Sequence, residues 1–202
     1  SLTMDLPPGT FVLVDQFIDR TFARQKSFFG KGCVAHVSMA HPVCHRLGEH
    51  LAHGAEAAGF RVKRGGTYIV MEGPQFSTMA ESNLYRSWNC DVIGMTNMPE
   101  AKLAREAEIC YATVAMVTDY DCWHPDHDHV TVDMVLKVLF QNADKAKALV
   151  KATVPLAAAD HECKQGCRHA LDNALITPLE MRDPVALAKL DAIAARVLPP
   201  KE

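Results

Sequence analysis

A chain of 202 residues, of which 49% are hydrophobic and 22% are charged, is long enough to fold as one domain around its own core. Its formal net charge of -3 and the lack of a Lys or Arg stripe argue against a nucleic-acid partner. The sequence has no apolar run of membrane-spanning length and no secretion signal at its start, so we expect a cytoplasmic protein that does not bind membranes.

Predicted strands alternate with predicted helices along the chain. This alternation indicates an α/β fold with a mostly parallel or mixed sheet. The apolar run at residues 109–117 is typical of a strand covered by helices on both faces. In chain order we predict strands at 11–18 and 34–37, a helix at 41–59, a strand at 66–72, a helix at 78–89, a strand at 91–96, a helix at 99–108, a strand at 109–117, and helices from 131 to about 151 and at 184–197.

Three segments place small or polar residues where a predicted strand ends: M-E-G-P-Q-F-S-T from Met71, D-V-I-G-M-T-N-M-P-E from Asp91, and M-V-T-D-Y-D-C-W from Met116. In open α/β sheets, ligands bind at that edge. The last segment puts Asp119 and Asp121 directly after an apolar run. Such an acid pair indicates a site in which a ligand is protonated or hydrogen-bonded, although one of the two could equally cap the following loop.

These three segments, in this order and at these separations, resemble the nucleoside phosphorylases, and most closely the members that act on 5'-methylthioadenosine. D-Q-F-I-D-R-T at residues 15–21 fits the same family, and the match runs from about residue 8 to about residue 150. The resemblance implies an α/β, three-layer fold whose central mixed sheet curls into a distorted barrel flanked by helices. It implies a single, partial domain over residues 1–202, with 152–202 as a helical C-terminal extension.

The reaction implied by this resemblance is a pentosyl transfer in purine and methionine salvage. Phosphate attacks the anomeric carbon of the nucleoside and adenine leaves, so phosphate is a cosubstrate and no organic cofactor or metal is expected. The purine is a poor leaving group, and the ribose becomes cation-like as it departs. Protonation or hydrogen bonding at purine N7, with phosphate beside the cation, is therefore the expected source of catalysis.

The resemblance also assigns roles to individual residues, with Asp119 meeting N7 and Asp121 accepting from the 6-amino group or holding Asp119. Without the resemblance, the aliphatic residues named in the next sentence would be assigned to core packing, and His36 would be an ordinary histidine. The other implied contacts are Phe76 stacked on the purine or ribose, Ile93 in the base pocket, Met95 under the ribose, Thr96 on phosphate, and Val132, Val135 and Leu136 around the 5' group, with His36 supplied by a neighbouring subunit of a homotrimer.

Two positions bear on the choice of base. Relatives that act on inosine and guanosine carry an acid where Ser77 stands and an amide where Asp119 stands. A serine can serve the unprotonated ring nitrogen of adenine, and an aspartate accepts from a 6-amino group but repels a 6-oxo group. Both positions favour a 6-aminopurine, and the alternative substrates are methylthioinosine or another 6-oxopurine nucleoside.

Members of the family begin well upstream of Ser1, and the upstream part carries a Gly-rich phosphate turn and an Arg-His pair. Among the phosphate contacts implied by the resemblance, Thr96 alone is in this sequence. We therefore expect phosphorolysis by this chain alone to be very weak or absent. A nucleoside-binding remnant without activity is the alternative from a different functional class.

Two further groups of residues attract attention. Cys163 and Cys167 lie in H-E-C-K-Q-G-C-R-H, but their C-x3-C spacing is not the C-x2-C usual for structural zinc, and no second pair follows at the matching distance. We expect a turn with free or occasionally disulfide-bonded thiols, and a metal site is the less favoured interpretation. The polar loop at residues 124–130 is predicted to be a solvated gate over the pocket.

Overall fold

The computed structural model describes residues 1–125, 132–159 and 162–198. Within these ranges the chain forms six strands and five α-helices, so the α/β class and the mixed strand directions predicted from the sequence are confirmed. The elements are β1 (Phe11–Leu13), β2 (Gln16–Asp19), α1 (His45–Ala57), β3 (Lys63–Arg64), β4 (Thr67–Val70), α2 (Met79–Ser87), β5 (Val92–Gly94), α3 (Glu100–Glu106), β6 (Val114–Met116), α4 (Val132–Ala159) and α5 (Pro184–Ala194).

The strands form two three-stranded sheets. In the first, of order β3-β1-β6, β1 runs parallel to β3 and antiparallel to β6, with Phe11 opposite Met116. In the second, of order β2-β4-β5, all strands are parallel, with Phe17 opposite Tyr68 and Ile69 opposite Ile93. The carboxyl ends of β2, β4 and β5 therefore meet at one edge, where α/β sheets bind their ligands.

The strand predicted over residues 11–18 is wrong as a single element, because the chain passes from one sheet to the other at Asp15. The backbone N–H groups of Asp15 and Gln16 both donate to the Gly66 carbonyl, at 3.2 and 3.4 Å, and Asp15 Oδ1 accepts from the Gly66 N–H at 3.2 Å. β1 ends before this junction and β2 begins after it. The apolar pattern is similar on both sides, so it does not reveal the change of partner.

Other boundaries also differ from the sequence pattern. The strand predicted at 109–117 is only three residues long, because the Tyr111 carbonyl accepts from the Cys44 N–H at 2.7 Å instead of joining a ladder. The segment at 34–37 forms a single bridge, between Ala35 and Leu175, and no strand. Helix α4 continues past residue 151 to Ala159, with a proline at position 155 inside it.

The main core lies between the two sheets and helix α3. It is built from buried aliphatic and aromatic side chains of β1, β4 and β5, including Val12, Val70 and Val92. A second cluster joins the tail to the segment after β2 through Phe29, Leu171 and other buried residues. In the described parts of the chain, none of the helices combines the length and the apolar character that a membrane span needs.

Helices α1 and α4 approach each other closely at a glycine. A Cβ atom built on Gly54 would overlap the Thr153 hydroxyl and lie 3.2 Å from the Thr153 backbone nitrogen. Thr153 is itself buried, so it has no open space into which to move. We expect Gly54→Ala to lower the free energy of unfolding by about 1–3 kcal/mol, because overpacking outweighs the better helix propensity of alanine.

A matched control is available on the same helix. A Cβ atom on Gly48 would meet nothing within 4 Å, so Gly48→Ala should gain up to about 1 kcal/mol from helix propensity. Urea denaturation of both variants measures the contrast. Equal effects of the two substitutions would contradict the packing interpretation.

Candidate active site

A cavity of about 340 Å³ opens where the edge of the parallel sheet meets β6. Its volume falls in the range of small-molecule sites. Strand β6 and its flanks, residues 113–119, form one wall, and β5 and the residues after it form another. Three of the predicted site residues, Ile93, Thr96 and Asp119, line this cavity together.

Asp119 lies at the end of β6, where the backbone leaves the sheet. The Thr118 hydroxyl donates to Asp119 Oδ2 at 2.6 Å, which orients the carboxyl group. On the facing wall, Thr96 Oγ1 lies 3.1 Å from Tyr68 Oη. Asp119 on one wall and the two hydroxyl-bearing residues on the other thus line a cavity that also has aliphatic and further polar residues in its walls.

The turn after β5 is held by a polar contact beside the cavity. Asn97 is buried and has a φ of 75°, a left-handed conformation that asparagine tolerates better than most residues. The Tyr111 hydroxyl donates to Asn97 Oδ1 at 2.8 Å. Burial raises the pKa of Tyr111 to about 12, so the hydroxyl stays protonated and keeps donating. This bond fixes the loop that carries Thr96.

Arg24 joins the two loops that follow β4 and β5. Its guanidinium donates to the carbonyls of Met95 at 2.8 Å, Glu72 at 3.0 Å and Met71 at 3.3 Å, and also to that of Met98. Its Nε forms an ion pair with Glu72 Oε1 at 3.2 Å. The planar group with five donors suits this task, because one side chain can satisfy carbonyls of several segments at once.

Glu72 completes the same junction. Its Oε2 accepts from the backbone N–H groups of Phe22 and Ala23, at 2.6 and 3.2 Å. The Phe22 bond, followed by the Ala23 bond and by Arg24, holds the pKa of Glu72 below its ordinary value. The carboxylate therefore ties the loop after β2 to the segment after β4.

Three of the predicted base and ribose contacts, Phe76 and Ser77 after β4 and Met95 after β5, do not line the cavity. Phe76 is 72% exposed. The hydroxyl of Ser77 donates to Met71 Sδ at 3.8 Å, and its carbonyl accepts from Cys122. Met95 is partly buried beside Gly73, where a Cβ atom would overlap the Met95 thioether. Gly73 has a φ of 71°, so both its conformation and this contact favour glycine.

The surroundings of Asp121 differ from those of Asp119. It does not line the cavity, and its Oδ2 is buried with no hydrogen-bond partner among the described residues. Its backbone N–H donates to the Ser1 carbonyl at 2.9 Å. The structure thus places one acid of the pair at the cavity and leaves the other with an unused acceptor.

The residues predicted for the 5' end lie on α4 and on the segment before α1. Leu136 is 39% exposed and does not line the cavity, whereas Leu139, on the next turn, does. The side chains of Val132 and Val135, and residues 126–130 of the predicted gate, lie outside the described part of the structure. His36 is exposed and lines no part of this cavity.

A separate cluster brings four thiols together. The tail pair Cys163 and Cys167 lies beside Cys44 and Cys110, and the four sulfur atoms are all within 4.8 Å of one another. The sequence shows no second cysteine pair at the matching spacing, but the fold brings Cys44 and Cys110 to the tail pair from distant segments.

Residues 1–155 match the family model described as the phosphorylase superfamily. The chain belongs to the phosphorylase superfamily. It is 66% identical to the S-methyl-5'-thioadenosine phosphorylase of Bradyrhizobium diazoefficiens over 199 residues, covering 98% of this chain and 68% of the relative. It is 64% identical to that of Rhodospirillum rubrum over 200 residues, again covering 98% and 68%.

Solved phosphorylase structures agree with this assignment. A methylthioadenosine phosphorylase from an antarctic soil metagenomic library is 45% identical, with a TM-score of 0.87 over 96% of this chain and 68% of that one. A methylthioadenosine phosphorylase from Schistosoma mansoni, solved in complex with adenine, is 31% identical, with a TM-score of 0.82 over 87% of this chain and 70% of that one. The nucleoside-phosphorylase fold predicted from the sequence is therefore confirmed.

Sequence reasoning missed several residues of the phosphorylase cavity and its supports. Tyr68 lies within a predicted strand and Thr118 directly follows another, so a search for polar residues in and just after the strands could have found both. Arg24 gave no such signal. It lies in an irregular loop, and its role depends on carbonyls about 50 and 70 residues further along the chain, a separation that no local pattern encodes.

Proposed function

We propose that this protein catalyses the phosphorolysis of 5'-methylthioadenosine to adenine and 5-methylthioribose 1-phosphate. The observation that carries the proposal is the Asp119 carboxyl group at the end of β6, in a cavity it shares with Thr96 and Ile93. The relatives from Bradyrhizobium diazoefficiens and Rhodospirillum rubrum are both named S-methyl-5'-thioadenosine phosphorylase. Phosphate is the cosubstrate, and the reaction as proposed needs no organic cofactor or metal.

In this reaction an oxygen of phosphate bonds to the anomeric carbon as the bond from that carbon to N9 of the purine breaks. The electron pair of the broken bond passes into the adenine ring, and Asp119 donates a proton or a hydrogen bond at N7. Thr118 supports this role because its hydroxyl orients the carboxyl group, and Thr96 is proposed to donate to phosphate. General acid catalysis of this kind contributes about 10^2–10^4-fold in rate.

Adenine is the proposed base, on account of two positions. Ser77 stands where an acid would accept from the ring N–H of a 6-oxopurine. Asp119, which lines the cavity, stands where relatives that act on 6-oxopurines carry an amide, and a carboxylate accepts from a 6-amino group. The solved relative from Schistosoma mansoni is described as a complex with adenine.

Initial rates with 5'-methylthioadenosine and methylthioinosine, each with phosphate, test the choice of base. We expect kcat/KM to favour the adenine nucleoside by about 10^4-fold, because the wrong base leaves a buried polar group unpaired. The same assay on residues 1–202 tests the expectation from the sequence that phosphorolysis by this chain alone is very weak or absent. A preference for methylthioinosine would overturn the choice of base while leaving phosphorolysis in place.

Calorimetry separates an enzyme from a protein that only binds nucleosides. An enzyme should bind adenine more tightly when phosphate is present, because the two occupy neighbouring parts of one active site and do not react with each other. A nucleoside-binding remnant would bind with no response to phosphate, and would show no turnover in the same preparation.

Assembly as a homotrimer and a cytoplasmic location are parts of the same proposal. His36 is exposed and does not line the cavity of its own chain, so a neighbouring copy is needed to bring a histidine to the 5' end of the nucleoside. The seven cysteines are all free thiols, which suits a reducing compartment. Sedimentation velocity and cell fractionation test these two points, and a monomer would contradict the role of His36.

A further inference from the structure

Four cysteines from three separate parts of the chain converge on one point. Cys44 precedes helix α1, Cys110 lies between α3 and β6, and Cys163 and Cys167 belong to the tail. Their sulfur atoms are all within 4.8 Å of one another, and those of Cys44 and Cys163 are 3.7 Å apart. None of the four lines the cavity of the candidate active site.

The Cys44–Cys163 separation of 3.7 Å, with all four sulfur atoms within 4.8 Å of one another, fits the ligand separations of a tetrahedral metal site. Four sulfurs bound to Zn²⁺ at about 2.3 Å are separated from one another by about 3.8 Å along the edges of the tetrahedron. A disulfide requires two sulfurs at about 2.05 Å, and it draws the cysteines together in pairs. Four thiols that are all close to one another therefore fit a single ion better than two bridges.

Backbone hydrogen bonds hold the segments that carry the four cysteines. The Gly166 N–H donates to the Cys163 carbonyl at 3.1 Å, and Gly166 has a φ of 71°, so the chain turns tightly between the two tail cysteines. The Cys44 N–H donates to the Tyr111 carbonyl at 2.7 Å, which fixes the residue next to Cys110 beside the start of α1. Both pairs are thereby held by hydrogen bonds of the protein itself.

Two positive charges flank the cluster. Arg46 Nη2 lies 3.8 Å from the sulfur of Cys110, and Arg105 Nη1 lies 3.9 Å from the sulfur of Cys167. Four thiolates around one Zn²⁺ carry a net charge of minus two, which two guanidinium groups balance. Outer groups that hydrogen-bond to metal ligands orient them and tune the metal, and these two guanidinium groups are placed to do so.

We propose that Cys44, Cys110, Cys163 and Cys167 bind one Zn²⁺ ion as four thiolates. Each thiol gives up its proton on binding, and the ion has no open position, so the site is structural and not catalytic. It joins the tail to the segments around α1 and α3. This inference does not depend on the proposed phosphorolysis.

Metal analysis of the purified protein, expressed with zinc and dialysed against metal-free buffer, is the direct test. We expect about one zinc per chain in the unaltered protein and in Cys90→Ala, a buried cysteine outside the cluster. Cys163→Ser together with Cys167→Ser should reduce zinc to background, and Cys163→His should retain it because histidine is also a zinc ligand. Background zinc in the unaltered protein would overturn the proposal.

A second measurement needs no substitution and so does not depend on whether a variant folds. Cobalt added to the demetallated protein should give the sulfur-to-metal charge-transfer bands and the visible bands of a tetrahedral thiolate site.

Arg105→Met should weaken zinc binding by about 10–100-fold in a chelator competition. Iron in place of zinc, or non-reducing peptide mapping that finds bridges among the four cysteines, would overturn the assignment.

Discussion

Replacing Asp119 with asparagine is expected to lower kcat/KM for 5'-methylthioadenosine by about 10^2–10^4-fold, the usual contribution of a general acid. The asparagine side chain would occupy nearly the same space, so the cavity and the Thr118 contact should persist while the donated proton is lost. The fall should be smaller with methylthioinosine, because an amide at this position is the pattern of relatives that act on 6-oxopurines. Steady-state kinetics on both substrates measures the difference.

Asp144→Asn is the matched control for this substitution. Asp144 is also a carboxylate, but it is exposed on α4 and pairs only weakly with Lys147, at 3.3 Å. It should leave the kinetics unchanged. If Asp119→Asn turns over substrate as fast as the control variant does, Asp119 is not the proton donor.

Arg24→Met is expected to lower both the free energy of unfolding and the affinity for adenine. Removing the guanidinium leaves the carbonyls of Met71 and Met95 without their donor, so we expect a loss of about 2–3 kcal/mol in the free energy of unfolding. Because the two loops are no longer joined, adenine binding should weaken as well. Urea denaturation and calorimetry measure the two effects.

Two further variants define what Arg24 does. Arg24→Lys keeps the charge but loses the planar fork, so it should recover only part of the lost stability. Arg61→Met removes an exposed arginine of another segment and should change neither property. Full recovery by lysine would mean that the charge, and not the geometry of the hydrogen bonds, holds the loops.

Sequence analysis located the edge of the sheet where the cavity lies, because apolar runs that end in polar residues are a local signal. Asp119 was found in this way, whereas Ile93 and Thr96 were assigned through the family resemblance, and the structure brings the three together. The passage between sheets at Asp15 was missed because apolar residues lie on both sides of it. Only the pairing with Gly66 marks the junction, and pairing partners are not written in a local pattern.

The remaining misses share a physical cause. Arg24 acts on carbonyls far along the chain, and the four clustered thiols are contributed by positions 44, 110, 163 and 167. Local spacing rules detect zinc ligands only when each pair lies within a few residues. Cys163 and Cys167 are close in sequence, although not at the usual zinc spacing. Cys44 and Cys110 are brought together only by the fold.

Helix α4 links two places that are far apart in the molecule. Leu139 lies at the wall of the cavity, and Thr153 rests against Gly54 on α1, about 21 Å along the helix axis at 1.5 Å per residue. Both contacts belong to one helix, so a shift of α4 at Thr153 would be carried to the cavity wall at Leu139. We therefore expect Gly54→Ala to change the shape of the cavity as well as the stability of the fold.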